Sequence, residues 1–295
     1  MKNILYKTFL ILIFNFISLF AQDLEISLTM DKSDFLKYEP IDCIAELKNI
    51  SNNTILITKA LDLEYETTGT DILLFDESGQ RVYTQGHLQF SGDVSSGIKL
   101  PPGQSLVSFI NLTKLGFGDV DNENWIEGPL LRNIYLTTGK YKIQLSYFYF
   151  YGKDKKTIYS NQIDFNVIEP NTSDIVVYNE IRNTWKEIFN TPKTDMGNAF
   201  NKLINKYPKN QYMASIFKYT LGSQYIKGVN KEELLLKMIE NHPSSFKTLI
   251  SVIGCPQVSD SFRNTASSQL KSKNETNKVM LEKYENYKTK ILNQK

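Results

Sequence analysis

From Asp23 to the Glu169-Pro170 dipeptide, apolar and polar side chains alternate. Leu24, Ile26 and Leu28 alternate with Glu25, Ser27 and Thr29. Ile41, Cys43, Ala45 and Leu47 alternate with Asp42, Glu46 and Lys48. Tyr141, Ile143, Leu145 and Tyr147 keep the same step after Thr138-Gly139. A period of two sends successive side chains to opposite faces of a strand. Further strands are predicted at Thr54–Thr58, Ser105–Leu112 and Ile158–Val167, and a hairpin joins Asp71–Phe75 to Gln80–Tyr83 through Asp76–Gly79. Short alternating runs broken by Asn, Asp, Gly and Pro predict an antiparallel β-sandwich over residues 23–170.

Past Pro170-Asn171 the period becomes helical. Ile175, Tyr178, Ile181, Trp185 and Ile188 follow at spacings of three and four, with Ser173 or Asp174 able to cap. Further helices are marked by Met196, Phe200, Leu203 and Ile204, then by Tyr212, Ile216, Phe217 and Leu221, then by Leu234, Leu235, Met238 and Ile239. A fifth covers Phe246 to Val252, and one long polar helix is expected from Phe262 to Asn293. The fold class is therefore β plus α in one chain, with an all-α half over 171–295 that is a helical bundle or a short helical-repeat module. Leu203-Ile-Asn-Lys-Tyr-Pro208 superposes on Met238-Ile-Glu-Asn-His-Pro243 at a shift of 35 residues. That period resembles tetratricopeptide-like arrays.

The stretch SLTMDKSDFLKYEPIDCIAELKN resembles the opening of macroglobulin-type and related bacterial Ig-like domains, through Asp31, Lys32, Phe35, Glu39, Ile41 and Asn49. Tyr38 stands where that pattern usually has glycine, which implies a differently built turn. TTGKYKIQLSY is similar to the penultimate strand of such sandwiches. Tyr141 precedes Ile143 by two residues, as a tyrosine-corner residue precedes the second cysteine of an antibody-type domain. The resemblance implies an Ig-like sandwich in which Cys43 faces Ile143 as a small apolar residue. Cys43 and Cys255 are the only cysteines. A bridge between them would need Cα atoms within about 7 Å; the other reading is two separately buried thiols.

The first residues change where the protein is expected to act. Lys2 and Lys7 precede the apolar run Phe9–Phe20, and Ala21 supplies a small residue at the cut. This reads as a signal peptide over 1–22, too short an apolar run for a spanning helix, so the mature chain is expected to be exported, without a transmembrane helix. Removing 1–22 takes two of the 34 basic residues and none of the 32 acidic ones, which leaves the mature chain neutral. A neutral chain has no electrostatic footprint for nucleic acid.

Candidate chemistry is sparse. His87 and His242 are the only histidines, and no P-loop, G-x-S-x-G, H-E-x-x-H or G-x-G-x-x-G occurs. Asp119, Asp121 and Glu123 alternate as calcium ligands do, but Asn124 stands where an EF-hand needs glycine, so a solvated acidic loop is the competing reading. In Tyr147–Tyr151, the tyrosines point to one face and Phe148 and Phe150 to the other. The two phenylalanines are read either as packing on the helical half near Trp185 or as an aromatic platform for a glycan or peptide. No cofactor is implied. The leading expectation is a non-catalytic binding or assembly protein of the cell envelope that contacts a protein partner. A carbohydrate-binding module using the Tyr147–Tyr151 aromatics and a carboxylate-based hydrolase are the alternatives.

Overall fold

A computed structural model describes residues 23–57, 70–82, 98–112, 136–151, 154–189, 196–224, 226–255 and 257–287. Eleven strands come first: β1 (Leu24–Met30), β2 (Asp34–Leu36), β3 (Asp42–Asn49), β4 (Ile55–Ile57), β5 (Thr70–Asp76), β6 (Arg81–Val82), β7 (Ile98–Leu100), β8 (Ser105–Asn111), β9 (Gly139–Tyr151), β10 (Asp154–Tyr159) and β11 (Ile163–Ile168). Seven helices follow: α1 (Thr172–Phe189), α2 (Met196–Lys206), α3 (Met213–Gly222), α4 (Lys231–Asn241), α5 (Phe246–Gly254), α6 (Asp260–Lys273) and α7 (Glu275–Tyr287). Among the described residues, strands and helices do not mix along the chain.

Among the described residues, three sheets share one apolar core. One has the order β1-β3-β8. Another has the order β2-β11-β9-β5-β6, with β10 also on β9, and the third pairs β4 with β7. All described pairings are antiparallel except β2 with β11. Leu24, Ile26, Leu28, Cys43, Ala45 and Leu47 from the first sheet meet Ile72, Leu74, Ile143, Leu145, Tyr147 and Phe165 from the second. Cys43 and Ile143 thus lie in the same core, and both cysteines are free thiols. The Tyr141 hydroxyl donates to the Thr137 carbonyl (2.9 Å), tying β9 to the chain four residues upstream. Asn161 plugs the outer edge of β1. Its Oδ1 accepts from the Leu28 N–H (2.8 Å) and its Nδ2 donates to the Leu28 carbonyl (3.0 Å), as a neighbouring strand would.

The β1-β3-β8 sheet is buried on its second face too. Ile44 of β3, Val107 of β8 and Leu36 belong to the core that the helices build around Trp185, Phe200, Phe217 and Phe246. Each helix packs on the next, and α3, α4 and α5 also pack on the next but one (α5, α6 and α7). The odd-numbered helices α5 and α7 lie against β3 and β8 respectively.

Three expectations change. Helix α1 is capped by Asn171, whose Oδ1 accepts from the Asp174 N–H (2.9 Å), two residues before Ser173 and three before Asp174. The expected long last helix is two. Asn274 adopts an extended ψ of 119° and starts α7, because its Oδ1 accepts from the Asn277 N–H. The turn at Tyr38 is not built differently from a glycine turn: Tyr38 itself takes φ of 72°, the one positive-φ non-glycine among the described residues. Such a conformation costs about 1–2 kcal/mol for a residue with a Cβ. The Tyr38 ring stacks on Tyr178 of α1 at 4.5 Å and 12°, which offsets part of that cost.

Candidate functional site

The densest arrangement of titratable groups among the described residues lies where the strands meet the helices. It is built from residues 31–42 and from the faces of α3 and α5 that meet β3. Asp42, on the helix-facing side of β3, is 1% exposed. Its Oδ1 accepts from Lys218 of α3 (3.0 Å) and from the Asn111 amide (2.9 Å), and Lys247 of α5 lies 3.3 Å from its Oδ2. Lys247 is itself 1% exposed and donates to the Pro40 carbonyl at 2.7 Å. Glu39 is 3% exposed and takes both oxygens to Lys32 at 2.7 Å; its Oε2 also accepts from the Leu36 N–H. Asp31 reaches across to the first turn of α5, where its Oδ2 accepts from the Phe246 N–H (2.9 Å). A satellite pair, Lys283 of α7 with Glu46 of β3 (2.5 Å), closes the other end.

Three carboxylates face three ammonium groups: Asp31, Glu39 and Asp42 against Lys32, Lys218 and Lys247. Burial opposes the ionisation of Asp42, but Lys218 and Lys247 outweigh it and hold the carboxyl below its ordinary range. Burial also opposes the charge on Lys247, and Asp42, Glu39 and Asp31 outweigh it, so its pKa is raised. At Lys32 burial wins over Glu39 and the pKa falls. Chemically, this set is a buried ion network in which Asp31 Oδ1 and Asp42 Oδ2 have no hydrogen-bond partner among the described residues. A general acid at neutral pH needs a carboxyl whose pKa is raised, and Asp42 is shifted the other way.

The network connects to a second feature. Positions 207, 242 and 277 are spaced by 35 residues, and each side chain reaches back toward the preceding helices. The Tyr207 hydroxyl donates to Glu180 Oε1 (2.6 Å), His242 Nε2 lies 2.7 Å from the Pro208 carbonyl, and Asn277 Nδ2 donates to the Pro243 carbonyl (2.5 Å). His242 is therefore neither a surface residue nor a helix cap only. Its ring is held against Phe217, edge to face at 5.7 Å.

The residues singled out from sequence fall elsewhere. Phe148 is half-buried, on the side of the second sheet that the helices do not cover, and the Lys155 ammonium sits 4.0 Å above its ring. It does not pack near Trp185, which meets Phe200 and Tyr219 at 5.2 and 5.3 Å. Phe150 is placed on β9 opposite Lys155, and its side chain lies outside the described residues. So do residues 1–22 and Asp119, Asp121 and Glu123. Among the described residues no group of three or more His, Cys, Asp or Glu is placed to hold a metal ion, and no helix is long and apolar enough to cross a membrane. The junction itself was half visible in sequence. Asp31, Lys32 and Glu39 stand out through the family resemblance, whereas nothing in the local sequence sets Lys218 and Lys247 apart. The one available signal was that β3 and β8 carry apolar residues, Ile44 and Phe109, on their polar face.

No protein-family model matches the chain, and no curated protein matches it. Among solved structures, the β-glucosidase from Listeria innocua in complex with isofagomine aligns at 11% identity and a TM-score of 0.24, over 50% of this chain and 16% of its own. A mutant of the same enzyme in complex with laminaribiose aligns at 11% identity and a TM-score of 0.23, over 49% of this chain and 16% of its own. The chain thus spans under a fifth of either structure, and a likeness at these scores carries no argument about fold or activity.

Proposed function

We propose that this is a non-catalytic, exported binding or assembly protein of the cell envelope, acting through protein–protein contacts, with an Ig-like strand half and a short, tetratricopeptide-like helical half. One observation carries the reading: buried charges at the junction pair with one another and with a backbone carbonyl, which ties the helices to the strands, and Asp42 is held below its ordinary range, the opposite of what a general acid needs. The Tyr141-to-Thr137 bond supports the Ig-like assignment, because a tyrosine corner ties its strand to backbone a few residues upstream. The 35-residue spacing of Tyr207, His242 and Asn277 supports the repeat.

A glycan-binding role is the second reading. It rests on the uncovered side of the second sheet, where Tyr159 is 59% exposed beside Phe148. The Lys155 ammonium over the Phe148 ring weighs against it, since that ring face is already in use. The deciding experiment is a pull-down from envelope extract with the mature protein, run beside a glycan array. A stoichiometric protein partner that withstands a salt wash, with no sugar enriched, is the expected result. Enrichment of one sugar without a protein partner would overturn the proposal.

A further inference from the structure

The segment 242–248 is the point where most of the molecule is joined. His242 bonds the Pro208 carbonyl behind it, and its own carbonyl accepts from Thr248 Oγ1 (2.6 Å). Asn277 bonds the next carbonyl, Pro243, from α7. Phe246 and Lys247 then make the contacts to Asp31, Pro40 and Asp42 that seat α5 on the strands. The equivalent positions 207 and 277 carry a tyrosine and an asparagine, neither of which gains a proton in mild acid. Position 242 carries a histidine.

We propose that His242 is an acid-sensing tie: adding a proton to its ring loosens the 242–248 segment, and with it the seating of the helices on the strands. With the Pro208 carbonyl as partner, Nε2 carries the hydrogen of the neutral ring, so the added proton goes to Nδ1. The charge would arise in a half-buried site beside other cations. The charges of Lys247 of α5 and Lys32 of the β1–β2 connection act against a charge on the ring, and Phe217 of α3 packs on it at 5.7 Å. Of the carboxylates along the junction, Glu39 is paired with Lys32 and Asp42 with Lys218 and Lys247; Asp31 accepts from the Phe246 N–H through Oδ2, and its Oδ1 is buried without a hydrogen-bond partner among the described residues. Burial, with those two lysines, lowers the His242 pKa to about 4 against the opposing pull of the Pro208 bond. A folded value below the ordinary 6.5 means the contribution is complete above pH 6.5 and is lost as pH falls toward 4.

The internal spacing supplies the control. His242→Asn keeps an N–H donor at the position, as Asn277 does, and removes the titration. In the full mature chain, the wild-type thermal midpoint is expected to drop between pH 6.5 and 4.5, with the drop at least halved in H242N. Hydrogen exchange at the Phe246 amide should speed up over the same interval in wild type and not in H242N, while the interior of β9 stays protected in both. An equal drop in both proteins overturns the proposal. Should H242N fail to fold, NMR titration of the wild-type ring together with exchange at the Phe246 amide decides, with His87→Asn used only to assign the ring. A ring that stays neutral at pH 5.5, with exchange that speeds up only below that pH, is expected; a ring protonated at pH 5.5, or exchange that does not follow its titration, overturns the proposal.

Discussion

The two larger sheets of the strand half share an inner core, but they differ in what covers their second faces. On β3 and β8 that face is sealed by helices: Ile44 and Val107 are 1% and 5% exposed. On β9, β10 and β11 no described helix seals it: Tyr159 is 59% exposed, and Lys142 and Asp164 face solvent across neighbouring strands. The aromatic run Tyr147–Tyr151 looked the better candidate for a covered face, since aromatic side chains bury more area than Ile and Val. The helices nevertheless sit on the less aromatic sheet. What distinguishes that sheet is charge at fixed spacing. Asp42 and Glu46 flank Ile44 two residues to either side, and each meets a lysine from the odd-numbered helices. Buried charges tolerate one register only, so they select the docking face even where apolar area does not.

Substitutions can break or sharpen this contrast. Lys247→Met leaves Asp42 with one lysine in a buried site and is expected to cost about 3–5 kcal/mol in equilibrium unfolding, the largest single effect. Next, Ile44→Ala should cost about 2–5 kcal/mol. Phe148→Ser, on the open face, should stay within about 1 kcal/mol of wild type. Comparable losses from both would mean that the second sheet is also covered. Gly197→Ala follows, at about 1–3 kcal/mol, because a Cβ there would overlap the Lys227 carbonyl and the Val229 side chain. The smallest effect is expected at Tyr38→Gly. It relieves the positive φ and loses the Tyr178 stack, so the net change in thermal unfolding should fall within about 1 kcal/mol. The pH dependence separates the junction from His242. Asp42, whose pKa is lowered, contributes above its ordinary 3.8 and loses that contribution as pH falls below it. Lys247, whose pKa is raised, contributes below its ordinary 10.5 and loses it above. Between those limits the Asp42–Lys247 pair adds little slope, whereas Glu169 and Glu180, whose pKa values are also lowered, lose their contribution as pH falls through about 4.5, so only the part of the decline that H242N removes reports on the histidine.

The sequence made the strands and helices legible because each has its own apolar period, and the change near residue 171 is abrupt. Last strand and first helix are separated only by residues 169–171. The hairpin at Asp76–Gly79 was readable for a local reason: Asp76 Oδ1 collects the N–H groups of Ser78 and Gln80, and Gly79 takes φ of 79°. Other features depended on contacts distant in sequence. Asn274 ends one helix and begins the next because Asn277 is drawn to Pro243, a tie that no local pattern encodes. Lys218 and Lys247 look like exposed helix residues until Asp42 is placed opposite them. Tyr38 was visible as an anomaly, but its meaning needed Tyr178, 140 residues further along the chain.

The most direct test of the junction is a double-mutant cycle on Asp42→Asn and Lys247→Met, read by equilibrium unfolding of residues 23–295 at pH 7. If the two side chains seat the helices together, the two single costs should exceed the double cost by about 1.5 kcal/mol or more. Costs that add to within about 0.3 kcal/mol would show the pair to be uncoupled and would contradict the account.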